Sequence, residues 1–443
     1  MKKGITSSFL AFGLIASANL SAADDLSSMF SEGKASGQIR EFSISRSVKT
    51  SNPASADYTR DANAVGGYLK YETAAYEGLS LGAAFYTTNG FGLDSPKTDY
   101  TKVDPTLLGP NNESYSILGE AYVQFKYENT TFKGGRQKLD TPLAGSDDAR
   151  MLPNLFEAYL LINTDVSDTT LIAGHVTRFA QGTFGRAYNG GILAATSGYS
   201  AVDTRNQVGE FVNMGAYAIG EKTDGVSVAA AIYAGVPNLK VQIWDYFAHD
   251  ILNAIYADAS YEMKLDNAST YFAGQLIKED GIGKKYLGDV ASIYGAAKVG
   301  VKVANFNIYG AYSQTTESGG NALLKSIITP WGGMPAYTQG MVTRHMFLAG
   351  TKATKGALTY DWKDFGPKLT TTLYYVDFAM DDNNGYTHGD ASEMGFDVIY
   401  YPSAIKNLQV RLRGNFTDDF NVAATTGYTT EWDEYRFILN YNF

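Results

Sequence analysis

The C-terminal segment 433–443 carries the pattern that most constrains the fold. Its odd-numbered side chains are mostly aromatic or aliphatic, whereas its even-numbered ones are mostly polar. A period of two places successive side chains on opposite faces of a β-strand. One face of this strand therefore suits an apolar environment and the other a polar one. The segments 120–127, 239–244 and 408–413 show the same alternation.

Alternating segments of this kind recur along the 443 residues, with Gly, Asn, Asp, Ser and Thr between them. Many are about ten residues long, which is enough to cross a bilayer when the strand is tilted. We identify nineteen candidates and predict eighteen strands, because bacterial single-chain barrels have even strand numbers. The extra candidate is expected in 209–234. The candidates are 36–46, 62–73, 78–88, 115–127, 130–137, 154–163, 168–178, 209–218, 226–234, 237–248, 251–263, 267–276, 292–300, 303–314, 345–360, 367–377, 393–402, 406–416 and 431–443.

A closed sheet explains the pattern better than three ordinary soluble domains. In hydrocarbon every backbone polar group must be satisfied internally, which a closed barrel achieves and an open sheet does not. The chain has 32 Tyr, and many lie at the ends of predicted strands, which is typical of the aromatic girdles of such barrels. We predict an all-β fold, a transmembrane antiparallel β-barrel. An exported β-helix or sandwich array is the alternative, although no fixed short repeat indicates a solenoid.

The N-terminus resembles a secretory signal peptide. A basic start at Lys2 and Lys3 precedes an uncharged apolar stretch and the small residues 21–23. We predict a cleaved signal peptide over 1–23 and a single barrel domain over 24–443. The alternative is a buried N-terminal helix.

Composition and motifs exclude several functions. The formal charge is −10, which disfavours a nucleic-acid partner. Without Cys, disulfides, thiol chemistry and Cys-based metal sites are impossible. The four His form no i, i+2 pair, and no nucleophile elbow is present. The segment 381–385 lacks most of a calcium-loop motif. We predict no enzyme activity, no metal and no cofactor.

The predicted connections alternate between short and long. Short turns such as 128–129 and 237–238 contrast with long loops, a pattern typical of outer-membrane barrels with extracellular long loops. One or two long loops are expected to fold inward and narrow the pore. The long loops are 89–114, 138–153, 179–208, 315–344 and 378–392.

The segment 135–157 identifies a family. Residues 146–153 read SDDARMLP and are followed by Phe156 and Glu157. This resembles the third-loop signature of the OprD family of outer-membrane porins, with Ala149 replacing a Gly and Met151 replacing a Leu. The segments 407–413 and 433–441 resemble the last two strands of that family, and 244–256 is a weaker match. The loops 89–114 and 315–344 show no match.

The resemblance implies a monomeric barrel that often crystallises as loose trimers, in a bacterial outer membrane among lipid and lipopolysaccharide. It implies passive passage of small carboxylate solutes, such as amino acids or aromatic acids, along a lumen arginine ladder. Two alternatives remain: a general diffusion porin, and an adhesin that uses its extracellular loops.

The arginine positions agree with this expectation. Arg411, Arg413 and Arg436 lie on polar strand faces, and Arg40 is the best candidate on the first strand. A lipid-facing Arg at mid-depth would cost about 2–4 kcal/mol, which favours the lumen. Spacing of two separates guanidinium groups by about 6.5–7 Å, so a carboxylate could pass from one to the next. Alternatively, these arginines pair with lumen acids such as Glu434 and stiffen the wall.

The family signature also contains charged residues. Arg150 with Asp147 and Asp148 is expected to form a constriction in which an arginine opposes acids. The alternative is a local loop salt bridge worth under about 1 kcal/mol.

Overall fold

The structure, a computed structural model, describes residues 22–90, 99, 102–187 and 208–443. Within these residues, eighteen strands form one closed antiparallel barrel, as predicted. Each strand pairs with the next in the chain, and the last strand pairs with the first. The predicted signal peptide lies almost wholly outside the described residues, as do parts of the predicted loops 89–114 and 179–208.

The strands are β1 Lys34–Thr50, β2 Tyr58–Glu72, β3 Leu79–Gly90, β4 Tyr115–Tyr127, β5 Thr130–Gln137, β6 Leu155–Asn163, β7 Thr169–Ala180, β8 Val226–Tyr233, β9 Leu239–Ala248, β10 Leu252–Lys264, β11 Ala268–Gly281, β12 Ala291–Val303, β13 Phe306–Thr315, β14 Lys352–Asp361, β15 Lys368–Ala379, β16 Ala391–Tyr401, β17 Leu408–Asp418 and β18 Thr429–Asn442. Two-residue strands occur at Val212–Asn213 and Asn421–Val422. The α-helices are α1 Leu26–Ser31 and α2 Met214–Ile219, and short 3-10 helices occur at Pro110–Asn112, Thr183–Ala187, Ala322–Lys325, His345–Phe347 and Trp362–Phe365.

The alternation read from the sequence matches the two faces of β18. Glu434 and Arg436 are buried on the inner face, whereas Tyr435 and Phe437 are 49% and 41% exposed on the outer face. Outward exposure of large apolar groups is what a lipid-facing wall requires. The register that closes the barrel pairs Arg436 with Ile44 of β1.

Two candidate strands were wrong in part. The segment 209–218 contains only the two-residue strand and most of α2. Asn213 caps α2, because its side chain accepts hydrogen bonds from Gly215 N and Ala216 N, and Gly220 ends it in the left-handed conformation. The candidate 345–360 begins with a 3-10 helix at His345–Phe347, and the wall strand starts only at Lys352.

The connections divide by length between the two ends of the barrel. Loops that follow odd-numbered strands include 91–114, 138–154, 181–225 and 316–351, whereas turns that follow even-numbered strands have six residues or fewer. This alternation confirms the predicted pattern and assigns the long loops to the extracellular end. No helix among the described residues is long and apolar enough to cross a membrane.

Candidate functional site

Two extracellular loops meet inside the barrel. The loop 138–154 folds inward, in agreement with the prediction that one or two of the long loops do so. The loop 316–351, whose role the sequence left open, is its partner. Gly145 N donates to Trp331 O at 3.1 Å, so a backbone hydrogen bond joins the loops. Together they cross the lumen as one bridging unit.

Glycines make this close contact possible. Gly332 has a φ of 87°, a conformation that residues with a Cβ rarely adopt. At Gly333 a Cβ would lie 2.3 Å from Pro142 O, well inside van der Waals contact. A larger residue at either position would therefore push the two loops apart.

Apolar side chains hold the loops against the inner wall. Trp331 and Phe347 of the second loop pack into a buried cluster with Trp244 of β9. Met151 of the first loop packs with Phe42 of β1 in another. Burying a side chain of this size contributes about 1.5–3 kcal/mol, so loop packing is part of the stability of the fold.

A buried carboxylate also anchors the second loop. Glu393, on the inner face of β16, accepts hydrogen bonds from Met341 N at 2.5 Å, Val342 N at 3.4 Å and Thr343 N at 3.0 Å. Tyr374 OH also donates to it. Hydrogen bonds to a charged acceptor contribute more than neutral ones. Glu393 thus fixes the segment 341–343 on the wall.

The strand register places arginines in four successive inward rows of the sheet formed by β1, β18 and β17. From the extracellular side the rows contain Arg46, then Arg413 and Arg436, then Arg411, then Arg40. Neighbouring rows are two residues apart, or about 6.5–7 Å along a strand. The four residues predicted from sequence therefore lie together on one part of the wall.

Arg411 and Arg413 in the middle rows are partly accessible, whereas Arg40 in the lowest row is buried. Arg411 donates from Nε to Asp397 Oδ1 at 2.8 Å, and Arg413 Nε lies 3.4 Å from Asp397 Oδ2. Their side chains are 28% and 17% exposed. Arg40 donates to Asp148 Oδ1 at 2.7 Å. One carboxylate thus serves two guanidinium groups in the middle rows.

The upper part of this wall is a buried ion cluster. Glu434 accepts from Arg46 Nε at 2.8 Å, from Arg436, and from Arg150 Nη2 at 3.4 Å. Arg46 Nη2 lies 2.7 Å from Asp104, which belongs to the loop 91–114 between β3 and β4. None of these side chains is more than 1% exposed. Arg436 therefore pairs with Glu434, which is the alternative that the sequence left open.

Arg150 does not face open space in the lumen. Its guanidinium carbon lies 4.8 Å from the ring centroid of Phe184 and 5.6 Å from that of Phe42, and the side chain is fully buried. This position differs from the predicted constriction arginine. Arg150 instead lies against the inner wall, where its contact with Glu434 at 3.4 Å holds the loop in place.

The two acids of the signature lie on the lumen side of the loop. Asp147 accepts from Arg344 Nη2 of the second loop at 2.9 Å, and Asp148 pairs with Arg40. Burial alone would raise the pKa of Asp148, but the charges of Arg40 and Lys138 hold it below its usual value. Asp148 therefore stays ionised and remains a counterion of the arginine wall.

The bridging unit leaves a cavity of about 460 Å³ beside it. Its charged lining comprises three lysines, Lys240, Lys298 and Lys355, and three acids, Asp140, Asp147 and Asp258. The Nζ of Lys298 lies 4.2 Å from the ring centroid of Tyr337. The sequence did not single out these lysines. The available signal was the position of Lys240 and Lys298 between apolar neighbours on their strands, whereas Lys355 lies between Thr354 and Gly356.

Four aromatic side chains of the wall and the second loop have different positions relative to the lumen. Tyr256 and Tyr337 line the cavity. Trp244 is buried in the loop-packing cluster. Tyr159 is 50% exposed on the outer face, where it suits an aromatic girdle.

His345 makes the packing of the second loop sensitive to acid. It is buried, and its Nε2 lies 2.7 Å from Phe420 O. Burial lowers its pKa from 6.5 to about 4, although this hydrogen bond acts to raise it. Between pH 6.5 and about 4, His345 would therefore bind a proton when the loop is released but not when the loop is packed. The packing contribution of His345 is present above about pH 6.5 and falls as the pH drops towards 4.

We expect faster hydrogen exchange in 316–351 at pH 4.5 than at pH 7, after correction for intrinsic rates. His345→Gln is the matched variant, since it removes the titrating group, and its exchange should depend less on pH. Equal protection of the native loop at both pH values would contradict this prediction.

Comparisons with known proteins agree with the geometry. The sequence profile of outer membrane porins of the OprD family matches residues 28–443. The chain is similar to a crystal structure of Pseudomonas aeruginosa OccK9 (OpdG), with 19% identity, a TM-score of 0.75, and coverage of 94% of this chain and 99% of that one. The search of curated proteins gave no significant match.

Two similar structures contain small carboxylates. Pseudomonas aeruginosa OpdK with vanillate shares 15% identity at a TM-score of 0.74, covering 94% of this chain and 99% of that one. OccK2 (OpdF) from the same organism, in complex with glucuronate, shares 15% identity at a TM-score of 0.69, covering 94% and 97%. At these identities the likeness establishes the fold.

Proposed function

Because the chain belongs to the OprD family of outer membrane porins, which are passive channels rather than enzymes, we propose that it passes small carboxylate-bearing solutes across the outer membrane. The solutes fitting this proposal are amino acids and organic or aromatic acids. Vanillate and glucuronate, present in the OpdK and OccK2 structures, belong to the same chemical class.

The observation that carries the proposal is an excess of positive charge on one wall. Six guanidinium groups lie among four carboxylates in the described contacts. The arginines are Arg40, Arg46, Arg150, Arg411, Arg413 and Arg436, and the acids are Asp104, Asp148, Asp397 and Glu434. Such an excess attracts anions into the lumen.

The partly exposed arginines are the ones we assign to direct contact. Arg411 and Arg413 share Asp397, so a solute carboxylate can compete for their remaining N–H groups. Arg40 is buried, but its row continues the ladder towards the periplasmic side. Conduction requires contacts that attract the solute and yet release it, which a shared counterion favours.

The cavity lysines supply a second contact region. Lys298 and Lys355 offer ammonium groups beside tyrosine rings, and Lys240 lies on the same lining. This combination suits an acid with an apolar or aromatic body. Asp258, on the same lining, would attract the ammonium group of an amino acid. We propose that solutes pass this cavity as well as the arginine wall.

Charge reversal tests the arginine path. We expect Arg411→Glu with Arg413→Glu to abolish the preference for carboxylates in liposome swelling and to shift the bilayer reversal potential in a KCl gradient towards cation selectivity. Lys49→Glu is the control, since Lys49 is exposed and pairs with Asp433 at 2.8 Å. It should leave both measurements near those of the native protein.

Unchanged selectivity in the double variant would overturn the arginine path. If the liposome swelling rates of the native protein depend on solute size alone, they would instead support a general diffusion porin.

The remaining features of the proposal concern the cell envelope. We propose that residues 1–23 direct export and are removed. The exposed aromatic and aliphatic belt would then contact outer-membrane lipid and lipopolysaccharide, and three barrels could associate as a loose homotrimer. Cross-linking in native membranes, followed by mass analysis of the N-terminus, tests these points together.

A further inference from the structure

Two histidines that are distant in sequence meet on the outside of the barrel. His175 belongs to β7, and His249 lies in the turn after β9. The strand between them, β8, carries Ser227, whose Oγ lies 3.2 Å from His175 Nδ1 and 3.0 Å from His249 Nε2. The two ring centroids are 5.9 Å apart. Two imidazole nitrogens therefore converge on one hydroxyl group.

The strand register creates this arrangement. His175 is directly opposite Ser227, and Ser227 is opposite Phe247 of β9. His249 follows Phe247 by two positions. Ser227 is 52 residues from His175 and 22 from His249, so no spacing motif in the sequence reveals the cluster.

The cluster lies at the aqueous edge of the outer wall. Phe247 is 42% exposed, as a lipid-facing side chain should be. Asp250, next to His249, forms an ion pair with Lys284 at 3.1 Å. Charged groups of this kind belong at the extracellular membrane boundary, where dissolved ions have access to the imidazoles.

We propose that His175, His249 and Ser227 bind a divalent transition-metal ion, with Cu²⁺ preferred. Imidazole nitrogen is a favoured donor for Cu²⁺, Ni²⁺ and Zn²⁺, and a mixed nitrogen and oxygen set suits Cu²⁺ and Ni²⁺ best. The ion would take the place between the two rings, with the hydroxyl and water completing its coordination. Among these ions, the order of intrinsic affinity places Cu²⁺ first.

The neighbouring aromatic ring favours this site. The centroid of Phe247 lies 4.9 Å from that of His249, in an edge-to-face arrangement that restricts rotation of the imidazole. A ligand that is already oriented loses less conformational freedom on binding. A bound ion would connect β7 with the turn after β9, across β8.

The test uses the full chain without an affinity tag, refolded in detergent and titrated with Cu²⁺. We expect one bound ion whose electron paramagnetic resonance spectrum shows coupling to two imidazole nitrogens. His175→Gln and His249→Gln should each weaken binding by at least about tenfold. Ser227→Ala retains both imidazoles and should weaken binding less.

His388 provides the matched control. It is exposed in the loop between β15 and β16, and His388→Gln should leave the affinity unchanged. Because imidazole must be deprotonated to bind, affinity should also fall as the pH is lowered. Equal Cu²⁺ affinity in the native chain and the His175→Gln, His249→Gln double variant would overturn the proposal. The outer-wall position makes this result independent of channel activity.

Discussion

Replacing Glu434 with glutamine is expected to destabilise the folded barrel by about 3–5 kcal/mol. Glu434 is the shared counterion of Arg46, Arg150 and Arg436, and all four side chains are buried. Glutamine has nearly the same shape but no charge. Three buried guanidinium groups would then lose their common partner, which costs far more than losing one exposed pair.

The measurement is the urea concentration at which the barrel loses its heat-modifiable mobility on a gel. Asp433→Asn is the matched control, because Asp433 is adjacent on the same strand and forms a partly exposed pair with Lys49 at 2.8 Å. This control should cost under about 1 kcal/mol. Similar unfolding midpoints for both variants would show that the buried cluster does not contribute as proposed.

Replacing Glu393 with alanine is expected to release the second inward loop. Backbone N–H groups of Met341, Val342 and Thr343 would lose their acceptor, at about 1–3 kcal/mol for each buried donor left unpaired. The freed segment 341–343 would no longer be fixed on β16, and the cavity beside it would widen. Single-channel conductance should rise, with added current noise from loop motion.

Glu262→Ala is the control for this variant. Glu262 also lies inside the barrel, where it accepts from Ser269 Oγ at 2.6 Å and pairs with Lys302 at 3.0 Å. The Glu262→Ala variant removes one lumen carboxylate but no contact to the loop 316–351. We therefore expect channels of nearly native conductance without added current noise. Native conductance in the Glu393→Ala variant would show that packing alone retains the loop.

The strand pattern was predictable because each wall strand separates lipid from lumen along its whole length. Alternation therefore persists in β18 from Glu434 to Tyr441. Alternation of polar and apolar residues predicts the wrong structure where that constraint is absent. Around Met214 the chain has left the wall, and the Asn213 cap and Gly220 decide the local structure.

The arginine positions were predictable, but their environments were not. Alternation placed Arg411 and Arg436 on the inner face, since neither tolerates lipid. Whether a solute can reach them depends on which loops cover them. Arg46 and Arg150 are buried under loop contacts with Asp104 and Phe184, respectively, which sequence spacing does not encode.

The histidines show a similar limit. Spacing along one strand excluded a metal site, whereas the structure joins His175 and His249 across three adjacent chain segments. Cross-strand neighbours become visible only when the register is known.

Burial of Arg46, Arg150 and Arg436 also determines how the channel should respond to ionic strength. Mobile ions screen charges within about 8 Å at physiological salt, but they do not enter a packed protein layer. The field from the covered arginines therefore reaches the lumen through protein rather than through electrolyte. Anion preference from this layer should persist in brackish or saline surroundings, where preference based on exposed charges would fade.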